Sequence, residues 1–220
     1  MAHISDKDKD YLRKEFGKMK DNVKLVYFTQ KFECQYCEMT HEILGELAEL
    51  SDRISLEVYD LVNDKEITEK YNIDKIPAVV VEGEKDYGIR YFGIPAGYEF
   101  SSLIEDIMDV SNKSTSLSAE TKKALASLEK PLHIQVFVTP TCPYCPKAVR
   151  MAHQMAIESD KVRGDMIEAT EFPHLSNHYN VGAVPKIVIN DVVDFEGALP
   201  EPVYLEKVLE AEGRELSSRT

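Results

Sequence analysis

Two rhythms of apolar residues alternate along the chain. Short β-rich runs, VKLVYFT at 23–29, ISLEVYDL at 54–61, AVVVEG at 78–83 and IRYFG at 89–93, punctuate stretches with apolar side chains every three or four positions. Ile43, Leu44, Leu47 and Leu50 form one such stripe, the spacing of a helix that buries one face. Ser5 is placed to cap an opening helix running to about Met19, a short helix contains Tyr71, and SSLIEDIMDV at 101–110 closes the series.

The same order then returns. A helix capped by Ser118 runs to about Leu128 and is stopped by Pro131, followed by LHIQVFVT at 132–139, MIEATEF at 166–172, KIVIN at 186–190, VVDFEG at 192–197 and the helical VYLEKVLEAEG at 203–213. Asn190–Asp191 reads as a two-residue hairpin turn. YNIDKIPAVVV at 71–81 aligns with YNVGAVPKIVI at 179–189, and Tyr71/Tyr179, Asn72/Asn180 and Pro77/Pro185 share an offset of 108. Cys34/Cys142 and Cys37/Cys145 share it too. VYFT before Cys34 answers VFVT before Cys142 with two residues fewer between motif and cysteine, and FG at 92–93 answers the Phe195–Gly197 stretch. The chain is a duplication. Its Ser/Thr-rich stretch near 112–118 divides it into units 1–115 and 116–220. Each unit orders its elements β-α-β-α-β-β-α after a leading helix, which predicts an α/β fold of two tandem units, each a mixed sheet flanked by helices.

Charge narrows the partners. The 220 residues carry a net charge of −13, with no cluster of Lys and Arg, which argues against nucleic acid. No apolar run approaches the ~20 residues of a bilayer span, and MAHISDKDKDYLRKEF has no apolar signal core; a cytoplasmic protein with no membrane partner is expected. Charged residues make up 30% of the chain and Trp is absent, a composition that suits an ion-pair-rich surface.

All four cysteines fall in two C-x-x-C pairs, Cys34/Cys37 and Cys142/Cys145. Such a pair can staple a loop, bind a metal or exchange electrons. A disulfide scaffold is short and Cys-dense, unlike this chain. A single zinc site built from all four cysteines would have to bridge 104 intervening residues, against 15–20 in compact zinc modules. For exchange, the pattern is favourable. Each pair follows a strand and opens a helix, so the first cysteine is expected at a helix N-terminus, where free amides and the dipole favour the thiolate. The second, one turn on, can resolve a mixed disulfide. Pro143 suits the first helical turn and Pro146 fits less comfortably; Gln35 replaces Pro143 in the first unit, so the two sites should differ in potential. Pro77 and Pro185 each follow the first cysteine of their unit by 43 residues.

CPYC preceded by TPT resembles the glutaredoxin active site. C-x-x-C with IP or VP before a hairpin resembles the thioredoxin fold, and two such units, CQYC then CPYC, are similar to the protein disulfide oxidoreductases of thermophilic archaea and bacteria. The resemblance covers nearly the whole chain. It implies thiol–disulfide exchange with protein substrates (reduction, oxidation and isomerisation) and electrons from a thioredoxin-reductase-like flavoenzyme. In it Cys34 and Cys142 attack, Cys37 and Cys145 resolve, and Pro77 and Pro185 are cis-prolines aligning a substrate backbone bonded by Ile76 and Val184. No Gly-rich phosphate loop is present, so neither flavin nor nicotinamide is expected on this chain, and no cofactor or metal is assigned. Many thioredoxins place a buried acid six residues before the first cysteine; here those positions are Phe28 and Val136.

Other readings remain beside this one. An electron shuttle to a peroxidase such as a peroxiredoxin resembles the duplicated N-terminal domain of alkyl hydroperoxide reductase flavoproteins. One copy could be a peptide-binding module. Tyr36 and Tyr144, inside the motifs, either pack or touch substrate. Tyr71 and Tyr179 read as core. His41 shares a helical face with Cys34 and Cys37, but Val149 at its counterpart reads it as a bystander. Histidines 3, 133, 153, 174 and 178 show no ligand spacing.

Overall fold

The computed structural model describes residues 3–217, with side chains to residue 213. The outermost limits of the two expected units therefore lie outside the described residues.

The elements run α1 (Asp6–Phe16), β1 (Val23–Thr29), α2 (Cys37–Ala48), β2 (Ile54–Asp60), α3 (Lys65–Lys70), β3 (Ala78–Glu82), β4 (Asp86–Phe92) and α4 (Glu99–Asn112). The second set is α5 (Ala119–Ala126), β5 (Leu132–Val138), α6 (Cys145–Glu158), β6 (Val162–Glu168), α7 (Pro173–His178), β7 (Lys186–Ile189), β8 (Val193–Glu196) and α8 (Glu201–Ser217). The Ser5 and Ser118 hydroxyls cap α1 and α5, accepting from the Asp8 and Thr121 amides. Both helices stop two or three residues short of the expected ends. The Asn190–Asp191 turn forms with both residues at positive φ, 49° and 58°, and Val192 N–H closes it on the Ile189 carbonyl.

The two expected sheets are one. Eight strands run in the order β2-β1-β3-β4-β6-β5-β7-β8, joined at the middle where β4 pairs parallel with β6, Ile89 opposite Gly164 through Phe92 opposite Ile167. Alternation sorts the side chains. Leu25, Tyr27, Ile134 and Val136 point into a core shared by α1, α2, α4, α5, α6 and α8. Val26, Phe28 and Phe137 point into a smaller one capped by residues of α3 and α7. Ile43, Leu44, Leu47 and Leu50 are all buried in or beside α2 as the stripe predicts.

This sorting corrects the strand alignment. Phe28 and Phe137 share the smaller core, while Tyr27 matches Val136 on the other face, so the strands correspond at an offset of 109. The motif match VYFT/VFVT is one residue out, because a one-residue slip turns every side chain to the wrong face. The turn before the cysteine is one residue shorter in the second unit, not two.

α4 and α6 pack side by side across the unit boundary. Arg150 Nε lies 3.1 Å from Glu105 Oε2, and its guanidinium also meets Asp106 and Asp109. The Asp106 carboxylate also accepts from His153 Nδ1 at 2.6 Å and from the Tyr91 hydroxyl. Burial, then the Arg150 charge, pushes His153 down to about 3 and keeps it neutral.

Candidate redox site

Both C-x-x-C turns follow a parallel strand, at the C-terminal ends of β1 and β5. These two strands point the same way, so both pairs lie on one edge of the sheet, four strand spacings or about 19 Å apart. A metal site shared by all four cysteines needs the pairs to converge, and the sheet holds them apart. Among the described residues no cluster of three or more His, Cys, Asp or Glu could hold a metal ion.

Each pair is closed, Cys34 to Cys37 and Cys142 to Cys145, with Cα atoms 5.5 Å apart. The second cysteine, not the first, opens the helix, with Tyr36 or Tyr144 at the N-cap. The expected placement is thus shifted. Cys142 sits in the preceding turn, and the free amide at the helix start reaches it, Cys145 N–H donating to Cys142 Sγ at 3.1 Å. Such donors lower a thiol's pKa when the pair opens. Pro143 lies in that turn. Pro146 takes the first helical turn, the comfortable position, where no intrahelical acceptor awaits its missing N–H. Cys145 and Cys37 are buried; Cys142 is 7% exposed and Cys34 more open.

The residues before β3 and β7 line the other side. The Ile76–Pro77 and Val184–Pro185 bonds are cis, both prolines are buried, and Ile76 and Val184 are half-buried. The Val184 carbonyl oxygen lies 3.7 Å from Cys142 Sγ. Gly93 N–H donates to the Pro77 carbonyl at 2.9 Å, and Gly197 N–H repeats this on Pro185 at 2.8 Å. Each centre therefore has three walls: the cysteine turn, the X–Pro segment, and the Gly segment after the hairpin.

Tyr144 is exposed and Tyr36 half-buried at these rims. Tyr71 is buried and bonds Glu82, and Tyr179 bonds Asp191, both away from the sulfurs. His41 is exposed and stacks on Tyr27, whose hydroxyl donates to the Cys37 carbonyl at 2.7 Å.

A buried acid stands instead at the start of α4. Tyr98 N–H, one residue before α4, donates to Pro140 O in the turn leading to Cys142. Contacts of α4 with α6 advance together, Glu105 to Arg150 and then Asp109 to Gln154, so the helices run in the same direction. Glu99, the first residue of α4, thus lies at the end of α6 that carries Cys145. It is 1% exposed, accepts from Ser102 Oγ at 2.7 Å, and leaves Oε1 without a partner. Burial raises it to about 7, against the Ser102 hydrogen bond. A carboxyl with this affinity can trade a proton near neutral pH. The sequence carries a trace of it, since Glu99 falls on the apolar stripe Leu103, Ile107, Val110. Its place beside the other unit has no local signal.

Fold and site together define a tandem thioredoxin-fold protein with two C-x-x-C disulfide couples. Residues 22–105 and 132–210 each match the Thioredoxin domain family, and the chain belongs to that family. It is similar to a protein disulfide oxidoreductase of Aeropyrum pernix, at 33% identity and TM-score 0.89 over 95% of this chain and 94% of that one. The NTD_N/C domain of the Enterococcus faecalis alkylhydroperoxide reductase AhpF is also similar, at 26% identity and TM-score 0.87 over 93% of this chain and 99% of that one. A component of the Staphylococcus epidermidis alkyl hydroperoxide reductase is 32% identical over 151 residues, 68% of this chain but 27% of that protein. The chain thus spans about a quarter of the length of the curated relatives it matches. No helix among the described residues is long and apolar enough to cross a membrane.

Proposed function

We infer that the chain is a thiol–disulfide oxidoreductase acting on protein disulfides through two centres. The observation that carries this is the threefold geometry at each centre: a closed cysteine pair, a cis X–Pro segment and a backbone Gly segment facing one another at the same sheet edge. In reduction, the Cys142 thiolate attacks one sulfur of a client disulfide and expels the other as a thiolate. Cys145 then loses its proton and attacks Cys142 Sγ. The second client thiolate leaves, and the two electrons gained by the client leave a Cys142–Cys145 disulfide behind. Glu99 receives the Cys145 proton. Cys34 and Cys37 take the same roles at the first centre. Run backwards, the steps oxidise a client. Ile76 and Val184 offer backbone to an incoming chain, with Tyr36 and Tyr144 at the rims. The two units extend over residues 1–115 and 116–220. A cytoplasmic setting goes with this reading, since no cysteine is left over for a structural disulfide.

The likeness to the AhpF N-terminal domain favours a second, narrower reading, in which a thioredoxin-reductase-like flavoenzyme reduces the chain and a peroxiredoxin reoxidises it. Insulin reduction under dithiothreitol, on the unsubstituted chain and the Cys34→Ser/Cys37→Ser and Cys142→Ser/Cys145→Ser variants, tests the first. Activity that survives loss of either pair but not both is the expected result. No insulin reduction by any of them, with turnover by a flavoenzyme–peroxiredoxin couple, selects the shuttle.

A further inference from the structure

The two centres share a blueprint but differ on the third wall. In the second unit, Gly197 has open space where a Cβ would stand, and the Ala198 amide has no acceptor among the described residues. In the first unit, the matching segment is Gly93–Ile94, and the other unit reaches it. Ile94 N–H donates to Glu171 Oε1 at 2.7 Å. A Cβ on Gly93, which has φ +91°, would stand 2.6 Å from Glu168 Cβ and 2.8 Å from Glu171 Oε1. Gly93 is itself bonded to Pro77 O, so Glu171 stands beside the segment on which a client of Cys34 would lie. Glu171 is half-buried.

Resting on the oxidoreductase reading, we propose that Glu171, lent by the second unit, is a specificity determinant of the first centre, favouring clients with a basic residue next to the target cysteine. Glu168 anchors it: Glu168 Oε2 accepts from the Glu171 amide and the Thr170 hydroxyl, each at 2.7 Å. The second centre offers a bare backbone amide at this place and carries no such preference. The chemistry facing the Glu171 carboxyl is the Gly93–Ile94 backbone after β4, the Glu168 carboxylate at the end of β6 and, farther off, the Tyr27 hydroxyl on β1. Burial raises Glu171 to about 7; the Ile94 hydrogen bond opposes this and the Glu168 charge adds to it. The carboxyl is therefore charged above neutrality and discharged below it.

The test uses the full chain, reduced beforehand, with one centre removed at a time as the double Ser variants. Single-turnover opening is timed for two small cyclic peptides, each closed by one disulfide, one with lysine and one with glutamate flanking both cysteines. The Lys-to-Glu rate ratio at the first centre should exceed that at the second by about three- to fivefold, as for a partly exposed charge pair. Glu171→Gln should bring the first centre's ratio down to that of the second and leave the second's unchanged. Lowering the pH from about 8 to about 6 with Glu171 in place should do the same, without any substitution that could disturb folding. Ratios at the first centre unmoved by both changes overturn the proposal. Failure of both centres to open either peptide overturns the oxidoreductase reading instead.

Discussion

Glu99 is where a single side chain sets stability against chemistry. Its carboxyl is raised from 4.5 to about 7 in the fold, so the charged form is the one that folding penalises. The folded state gains fully below pH ~4.5, and the gain is lost as pH climbs through about 7. Glu99→Gln removes that penalty. At pH 8 it should stabilise the chain by about 1–3 kcal/mol in urea melts. The same change should slow second-centre turnover by about tenfold or more and erase the rise in rate through neutral pH; a pH–rate profile on the Cys34→Ser/Cys37→Ser background reads both. Much at this scale is visible in the sequence. The four cysteines, Pro77 and Pro185 are marked by duplication alone. Glu99, Glu168 and Glu171 are not, because each belongs to a constellation completed by the opposite unit, and repeat symmetry reveals only what both copies keep.

Among the elements, the segment between β4 and α4 carries most of the asymmetry. Gly97 has φ +61° and a Cβ there would collide with the Pro140 carbonyl, whereas Gly197, at φ +88°, meets nothing. Gly97→Ala should cost about 2–3 kcal/mol, since strain and collision combine, while Gly197→Ala should cost about 1 kcal/mol from strain alone. Chemical denaturation compares them. Because Pro140 leads into the Cys142 turn, Gly97→Ala should also slow the second centre more than the first. Helices and strands were legible from periodicity and capping, Ser5 and Ser118 included. The slip between β1 and β5 was not. Val, Tyr and Phe are interchangeable by composition in VYFT and VFVT, and only the core that each faces settles the pairing. The motif helices likewise begin later than the cysteines suggest, which gives Pro146 the place expected for Pro143.

At the scale of the molecule, the β4–β6 pairing and the α4–α6 contact weld the units together. Arg150 is the central ion, held by three carboxylates of the other unit, Glu105, Asp106 and Asp109. Arg150→Ala leaves the Asp106 carboxylate buried beside a neutral His153 and should cost about 3–5 kcal/mol, with both units melting in one calorimetric transition. Two separate transitions in the unsubstituted chain would contradict the weld. The sequence foresaw two modules and a linker; it could not foresee the seam, because Ile89–Phe92 and Gly164–Ile167 read as ordinary strand edges until they meet. That seam also imposes a gauge on clients. An extended polypeptide advances at most about 3.3–3.6 Å per residue, so two target cysteines adjacent or nearly adjacent in sequence fall short of both sulfur couples at once. Closely spaced cysteines must be served by one couple and then released, whereas more widely spaced ones can be held at both stations along a single rigid edge.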